Sequence, residues 1–253
     1  MKILIIKIGA LGDVLRTTYI AQALKDKYKK NKLEIIWLTS KKAEKMFLNN
    51  PYIDRLVFEE NKEELIREKI DIVINLEEDE KITKFTSSLN CNNFVGFIYR
   101  GGLVKPTKTT KYWFDMSVLG ERPNNDLLKK NNKKTHRQII GEIVEVDWKK
   151  YEPFLRLNNY QRNFANNFLR RYNLKRTDLI LGLNTGSADT WPKALPIKKT
   201  VKLIDELSNK YNAKIILFGG PNEIARNKDI ARLSKSYIVD VGCGNDLFEF
   251  PAL

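Results

Sequence analysis

The sequence predicts an α/β protein with two Rossmann-like parallel-sheet domains in tandem. Short runs rich in isoleucine and leucine alternate with amphipathic segments of helical period, first over residues 2–98 and again over residues 179–241. Continuous apolar runs are typical of parallel strands, which are buried on both faces of a sheet. With 253 residues, of which 42% are hydrophobic, the chain is long enough for two modest domains and too apolar to be disordered.

The first domain shows this alternation most clearly. Its first predicted helix, Asp13–Lys29, places Val14, Ala21 and Leu24 on one face. From Tyr99 to Tyr151 glycine and proline weaken the pattern, so we expect loops there and one helix. Strands are predicted at Lys2–Lys7, Glu34–Leu38, Arg55–Phe58, Asp71–Leu76 and Phe94–Ile98, and further helices at Lys41–Leu48, Lys62–Lys69, Lys81–Leu89 and His136–Val146.

The second domain repeats the alternation over a shorter stretch. The predicted bounds are 1–155 for the first domain, 156–177 for a connecting helix or linker, and 178–253 for the second domain. Since a full doubly wound domain takes about 100–150 residues, the second domain is expected to be incomplete. Strands are predicted at Leu179–Leu183, Lys214–Phe218 and Tyr237–Val241, and helices at Tyr160–Tyr172, Ile197–Tyr211 and Asn222–Ser234.

The composition excludes several classes of protein. Lys7 and Asp13 interrupt the N-terminal apolar run, so it is neither a secretory signal nor a membrane span. Cys91 and Cys243 lie far apart, which excludes a disulfide framework and favours a reducing cytoplasm. Because His136 is the only histidine, a centre with several histidine ligands is excluded, and we expect no metal.

The net charge of +14 indicates an anionic partner without identifying it. Lys and Arg number 45 against 31 Asp and Glu, and they are scattered along the chain. Nucleic acid, an anionic membrane surface and phosphorylated small molecules all attract such a surface. A solvated surface produced by compositional bias is an equally good interpretation.

The first candidate site is the loop Lys7–Asp13, between the first strand and the first helix. Ligands of open α/β sheets bind at the carboxyl ends of strands, where this loop lies. Gly9 and Gly12 are spaced GxxG, which is neither a dinucleotide fingerprint nor a P-loop. Asp13 has two interpretations: it caps the helix, or it keeps that position and also acts as a general base.

The second candidate site is the segment Asn184–Asp189, which directly follows a predicted strand. Gly186 permits close backbone approach, and the hydroxyls of Thr185 and Ser187 can donate to a phosphate oxygen. Lys193 can place a positive charge on a diphosphate. An ordinary polar turn before a helix is the alternative.

The third candidate site, Phe218–Glu223, also follows a strand. The glycine pair turns the chain, Pro221 suits the first turn of a helix, and Glu223 can accept hydrogen bonds from a ribose diol. Compensation of the helix dipole is the alternative role for Glu223. We expect packing or surface roles for His136 and for three tryptophans, Trp113, Trp148 and Trp191.

Taken together in this order, the three motifs resemble glycosyltransferase family 9, the heptosyltransferase family of lipopolysaccharide synthesis. The resemblance is carried by Lys2–Lys7 with Leu11-Gly12-Asp13, by Asn184–Ser187 with Trp191–Pro196, and by Phe218–Glu223. It implies the GT-B fold, two Rossmann-like domains that face each other across a cleft. It also implies an inverting, metal-independent transfer, without a cofactor, of a heptose-like sugar from a nucleotide-sugar donor such as ADP-heptose.

The resemblance also implies residue roles and partners. Asp13 matches the family's proposed base. The loop residues Gly9, Leu11 and Gly12 lie on the acceptor side. On the donor side, Thr185, Gly186, Ser187 and Lys193 match diphosphate contacts and Glu223 a nucleoside contact. The acceptor would be the lipopolysaccharide core or another lipid-linked or surface glycan, reached from the cytoplasm with peripheral contact at the anionic inner leaflet.

One departure from the family pattern leaves other classes open. A further donor-binding loop, of the Asp-Thr/Ser-x-x-x-His type, has no counterpart before residue 253, so the resemblance implies a chain truncated at its C-terminus. An inactive fragment or a non-catalytic nucleotide-binding module is therefore an alternative. A basic nucleic-acid-binding protein is a further one, but no nucleic-acid module is recognisable and no nucleic-acid partner is expected.

Overall fold

The structure, a computed structural model, describes residues 1–187, 193–242 and 248–253. The chain divides into two compact units, Met1–Arg156 and Leu157–Leu253. Both units are α/β, as the apolar runs of the sequence predict.

The first unit contains a six-stranded sheet of order β3-β2-β1-β4-β5-β6. Strands β1 to β5 are parallel, and β6 pairs antiparallel with β5. Ile3 and Ile5 of β1 pack into the core on one face and Leu4 and Ile6 into the core on the other, all fully buried. The strands are β1 Lys2–Ile6, β2 Glu34–Thr39, β3 Arg55–Phe58, β4 Ile70–Asn75, β5 Cys91–Arg100 and β6 Leu103–Pro106.

The helices of the first unit cover both faces of this sheet. Those that pack on Ile3 and Ile5 include α2 and α6, and α3 packs on the opposite face. The helices are α1 Leu11–Thr17, α2 Tyr19–Lys27, α3 Glu80–Ser87, α4 Lys111–Met116, α5 Asn124–Asn131 and α6 His136–Val144; short 3-10 helices span Lys41–Phe47, Glu59–Arg67, Lys108–Thr110 and Trp148–Lys150.

The prediction of one helix over Asp13–Lys29 is wrong in two respects, the residue at which the helix starts and its being a single helix. The helix begins two residues earlier, at Leu11, and a break at Thr18 separates α1 from α2. The Thr18 hydroxyl donates to the Leu15 carbonyl, 2.8 Å away, and accepts the backbone N–H of Phe154, 2.7 Å away. A hydroxyl that bonds to the preceding turn competes with the helical ladder, which explains the break.

The stretch from Tyr99 to Tyr151 contains more regular structure than the single predicted helix. Strand β6 and helices α4 and α5 were not predicted. Outside this stretch, the helices predicted at Lys41–Leu48 and Lys62–Lys69 are instead 3-10 helices, over Lys41–Phe47 and Glu59–Arg67. Gly101 and Gly102, with φ of 62° and 80°, form the two-residue turn between β5 and β6. Helix α6 ends at Val144 because Glu145 adopts a left-handed conformation, with φ of 56°.

The second unit contains a three-stranded parallel sheet of order β7-β8-β9, with the three strands that the sequence predicts. Ile215 and Leu217 of β8 pack on one face of the sheet, and Ile216 packs on the other face with Phe168 and Leu169 of α7. The elements are α7 Asn159–Arg171, β7 Ile180–Asn184, α8 Ile197–Tyr211, β8 Lys214–Phe218, α9 Ile224–Leu233 and β9 Ile238–Asp240, with 3-10 turns at Pro221–Glu223 and Phe250–Ala252. Within the described parts of the chain, no helix is long and apolar enough to cross a bilayer.

Candidate active site

Asp13 lies in the first turn of α1, at the carboxyl end of β1. The N-cap of this helix is Ala10, and no side chain caps it, so the prediction that Asp13 caps the helix is wrong. Because α1 begins at Leu11, Asp13 is the third helical residue. Its side chain is 37% exposed and forms an ion pair with Arg16 one turn later. The carboxylate therefore remains accessible from solvent beside the loop Gly9–Gly12.

Glu77 closes the loop between β1 and α1 from the side. Its Oε1 atom accepts the backbone N–H groups of Ile8 and Gly9 at 2.5 and 2.8 Å, and it lies 3.1 Å from Lys7 Nζ. The Lys7 and Glu77 side chains are each 12% exposed. Amide groups at such a position often bind phosphate, but here a carboxylate occupies them. This loop is therefore closed to a phosphate in the present structure.

The position of Glu77 follows from the order of the strands. Strand β4 pairs with β1, so a residue just after β4 lies beside the loop that follows β1. Sequence reasoning missed Glu77 because this pairing is not visible in the sequence. Two signals for Glu77 were available in the sequence: the parallel sheet, and the rule that ligand-side residues follow strands.

His136 packs against Trp113, as expected of a packing histidine, and it lies near Asp13. The two rings meet edge to face, with centroids 5.2 Å apart. Burial lowers the pKa of His136 to about 4; the positive charges of Arg16 and Lys7 act in the same direction, and the Asp13 carboxylate opposes them. The imidazole is therefore neutral at pH 7. Its Nδ1 atom is buried and has no hydrogen-bond partner among the described residues.

Trp113 in turn is held by a carboxylate. Its indole N–H donates to Glu78, the neighbour of the loop-closing Glu77. Trp113 thus has a packing role, because its ring contacts His136 and its N–H is bound by Glu78. Trp148 is partly buried against the same core, while Trp191 lies outside the described residues.

In the second unit, the predicted donor loop directly follows β7. Thr185 is 5% exposed, and its hydroxyl donates to Oδ1 of Asn227 on α9. The Gly186 N–H donates to Asn184 Oδ1 at 3.2 Å, and the Lys193 backbone N–H donates to Ser187 Oγ at 3.1 Å. The hydroxyl hydrogen of Thr185 is thus used inside the unit, where it positions the loop. Residues 188–192, part of the donor motif, lie outside the described residues.

Glu223 brings the second and third motifs together. Its Oε2 atom accepts the Gly220 N–H at 2.8 Å, and its side chain lies over Gly186. A Cβ atom on Gly219 would lie 2.6 Å from the Cβ of Glu223, so both glycines are needed for this approach. Asn227, one helical turn after Glu223, was not predicted, although its i,i+4 spacing from Glu223 was an available signal.

A cavity of about 140 Å³ opens at the carboxyl ends of β8 and β9, where open α/β sheets bind ligands. A larger cavity, of about 490 Å³, lies beside Lys2 and Glu34 at the amino ends of the first sheet's strands. We assign the ligand side to the smaller cavity because of its position at the carboxyl ends. It is lined by Gly219, Gly220, Ile224, Asn227, Lys228, Asp240 and Gly242.

The described residues contain no cluster of three or more His, Cys, Asp or Glu side chains that could hold a metal ion.

The chain thus has two α/β units, each with polar residues at the carboxyl ends of its strands, which is the organisation expected of a GT-B fold. Comparison with known structures shows which proteins share this fold. Glycosyl transferase family 9 from Veillonella parvula matches with a TM-score of 0.74 and 20% identity, over 99% of this chain and 71% of that one. ADP-heptose lipopolysaccharide heptosyltransferase II of E. coli matches with a TM-score of 0.65 and 14% identity, over 100% and 76% of the two chains.

An E. coli heptosyltransferase solved with ADP has a TM-score of 0.58 and 16% identity, over 97% of this chain and 75% of that chain. Among curated proteins, lipopolysaccharide heptosyltransferase 1 of Campylobacter coli is 43% identical over 56 residues, which is 22% of this chain and only 16% of that protein. No protein-family model matches the chain. The resemblance to glycosyltransferase family 9 is thereby confirmed: this chain has the fold of that family's heptosyltransferases.

Proposed function

We propose that this chain is a glycosyltransferase that takes a heptose-like sugar from an ADP-sugar donor and transfers it to a lipopolysaccharide-core or related glycan acceptor. The observation that carries the proposal is the arrangement of Glu223 over Gly186 beside the cavity at the carboxyl ends of β8 and β9. The names of two neighbours, which mention ADP and ADP-heptose, support the choice of nucleotide.

The second unit is the proposed donor side. Glu223 uses one carboxylate oxygen for Gly220, which leaves Oε1 to accept a ribose hydroxyl. Lys193 and Ser187, joined by the hydrogen bond from the Lys193 backbone N–H to Ser187 Oγ, would contact the diphosphate. The hydrogen bond from Thr185 to Asn227 would hold the donor loop in place. Positive charge and backbone amides next to a diphosphate stabilise the charge that develops as it leaves.

The first unit is the proposed acceptor side, with Asp13 as general base. In this step the acceptor hydroxyl oxygen bonds to the anomeric carbon, the bond from that carbon to the diphosphate oxygen breaks, and ADP leaves with the electron pair. The hydroxyl proton passes to the Asp13 carboxylate. Attack from the side opposite the diphosphate inverts the anomeric centre. In this mechanism the ammonium group of Lys193, not a metal ion, stabilises the negative charge on the departing diphosphate.

The proposal is tested first by donor binding. Calorimetry with ADP, UDP and GDP should show binding of ADP in preference to the other two. Glu223→Gln should weaken ADP binding, whereas Glu206→Gln, on the exposed side of α8, should not. Transfer is then followed as ADP release from ADP-heptose in the presence of a core acceptor. Binding without transfer would leave a nucleotide-binding module, and absence of ADP binding would refute the proposal.

A further inference from the structure

Helix α5 buries a polar residue and exposes its leucines. Its one buried residue is Asn125, 1% exposed, whose side-chain amide donates to the Ser117 carbonyl at 3.1 Å. Leu127 and Leu128 are instead 54% and 39% exposed. Helices of globular proteins bury leucine and expose asparagine, because apolar surface gains by leaving water. The buried residue of α5 is therefore polar, whereas both of its leucines remain partly exposed to solvent.

The loop before α5 adds two more exposed apolar side chains. Val118 is 71% exposed and Leu119 36%. The Asn125–Ser117 hydrogen bond ties this loop to the helix, so all four side chains belong to one element. We call Val118, Leu119, Leu127 and Leu128 the apolar cluster. Other exposed large apolar residues of the first unit, such as Leu48 and Ile66, are single in the sequence, which is ordinary for a protein surface.

Basic residues follow the apolar cluster directly. Lys129, Lys130 and Lys133 are exposed, and none of them forms an ion pair within the described parts of the chain. The next lysine, Lys134, is by contrast paired with Glu142 at 2.5 Å. The same element carries two acidic residues, Glu121 and Asp126, both before the lysines. Apolar and basic residues thus follow one another in this segment, and three of its lysines have no ion-pair partner within the described parts of the chain.

We propose that the element 117–134 docks on an anionic lipid surface. The apolar cluster would enter the boundary between headgroups and acyl chains, and Lys129, Lys130 and Lys133 would contact lipid phosphates, since this combination is what interfacial helices use. A nucleic acid would engage the lysines but has no use for exposed leucine and valine. A second copy of the chain would bring the same lysines together and repel.

This inference rests on the proposed function in one respect, because a lipid-linked acceptor gives the docking its purpose. Its measurement, however, needs no sugar donor. The purified chain is floated with vesicles of phosphatidylcholine alone and with vesicles that also contain phosphatidylglycerol. We expect binding to the anionic vesicles and little to the neutral ones.

Two sets of variants separate the contributions. Lys129→Gln, Lys130→Gln and Lys133→Gln together should weaken binding to anionic vesicles at least about tenfold. Lys29→Gln, Lys30→Gln and Lys32→Gln together, which remove the same charge elsewhere in the first unit, should have much less effect. Leu127→Asn and Val118→Ser, at exposed positions where folding is preserved, should weaken binding at unchanged net charge. Circular dichroism confirms that each variant is folded.

The outcomes discriminate clearly. Failure of the parent chain to bind anionic vesicles overturns the inference, and so does an equal loss in the two lysine triples, because binding would then follow net charge alone. An unchanged affinity in Leu127→Asn and Val118→Ser also overturns it. A parent dimer that Leu127→Asn converts to a monomer, with no vesicle binding, would assign the cluster to a second copy instead. Vesicle binding without sugar transfer would uphold the docking surface and count against the proposed function only.

Discussion

The side chain of Glu223 lies directly over Gly186, so two motifs that follow different strands form one surface. A Cβ atom on Gly186 would lie 2.6 Å from Cγ of Glu223 and closer still to its carboxylate. This approach fixes the carboxylate beside the loop that follows β7, with Gly220 donating to it at 2.8 Å. The absence of a side chain at position 186 is therefore what allows the Glu223 carboxylate to lie in this place.

Gly186→Ala should displace the Glu223 carboxylate. Because this carboxylate ends a flexible side chain, it can move, and the cost in stability should be about 1 kcal/mol, the worth of its hydrogen bond from Gly220. The larger effect should be on ADP binding, which Gly186→Ala and Glu223→Ala should each weaken. If both act through the carboxylate, the double variant binds ADP no more weakly than Glu223→Ala alone.

Calorimetry of the four proteins in this cycle measures that coupling. Gly12→Ala is the matched control, since nothing lies within 4 Å of a Cβ atom built there. Additive losses in the double variant would show that Gly186 and Glu223 contribute separately.

Lys193→Ala should weaken ADP-sugar binding by about 1.5–3 kcal/mol, the range for a charge-assisted hydrogen bond. Lys193 lies at the end of the donor loop, where its backbone N–H bonds to Ser187. Lys199→Ala, an exposed lysine on α8, is the control for loss of charge alone. Equal affinities of the Lys193→Ala variant and the parent in calorimetry would remove Lys193 from the donor site.

His136 should make the protein less stable in mild acid. Its folded pKa of about 4 lies below the ordinary value of 6.5, chiefly because of burial. Between these two values the unfolded chain binds more protons, so the contribution of His136 to the free energy of unfolding, fully present above pH 6.5, is lost as the pH falls toward 4. His136→Gln should flatten the pH dependence of stability across this window.

Nuclear magnetic resonance tests this directly, because the chain has a single histidine. The imidazole signals should titrate near pH 4 in the folded protein and near 6.5 in the unfolded one. A folded-state titration near 6.5 would show that the ring is not buried beside Trp113.

The sequence predicts the regular elements well where local signals coincide. Helix α8 and strand β8 have the predicted bounds, since the helical period of Ile197–Tyr211 ends at Asn212, which is left-handed with φ of 49°, directly before an apolar run. Helix α5 was missed for the opposite reason. It buries an asparagine and exposes leucines, so its pattern does not point toward the core that holds it.

The candidate site was predicted only in part, because some of its contacts depend on sheet order. That Gly186 and Glu223 meet follows from the pairing of β7 with β8, which parallel alternation favours. The contact of Glu77 with Gly9 depends on the pairing of β4 with β1. Nothing in the local sequence around Glu77 indicates that Gly9 is its neighbour, so this contact could be found only from the structure.

Asp13→Asn should separate the structural role of this residue from its proposed catalytic role. The side chain does not cap α1, so the substitution removes only the exposed ion pair with Arg16 and the favourable charge in the first turn. Each of these contributes at most about 1 kcal/mol to stability. A general base, by contrast, accelerates a reaction by about 10²–10⁴-fold, and an amide cannot accept the proton.

Arg16→Gln is the matched control because it breaks the same ion pair and keeps the carboxylate. We expect Asp13→Asn to lower the rate of sugar transfer by at least about 100-fold relative to the parent chain, with ADP affinity unchanged, since the donor contacts are assigned to the second unit. Arg16→Gln should retain most of the parent rate. Near-parental transfer by the Asp13→Asn variant would leave Asp13 with only its ion pair, and the base would have to be sought elsewhere in the first unit.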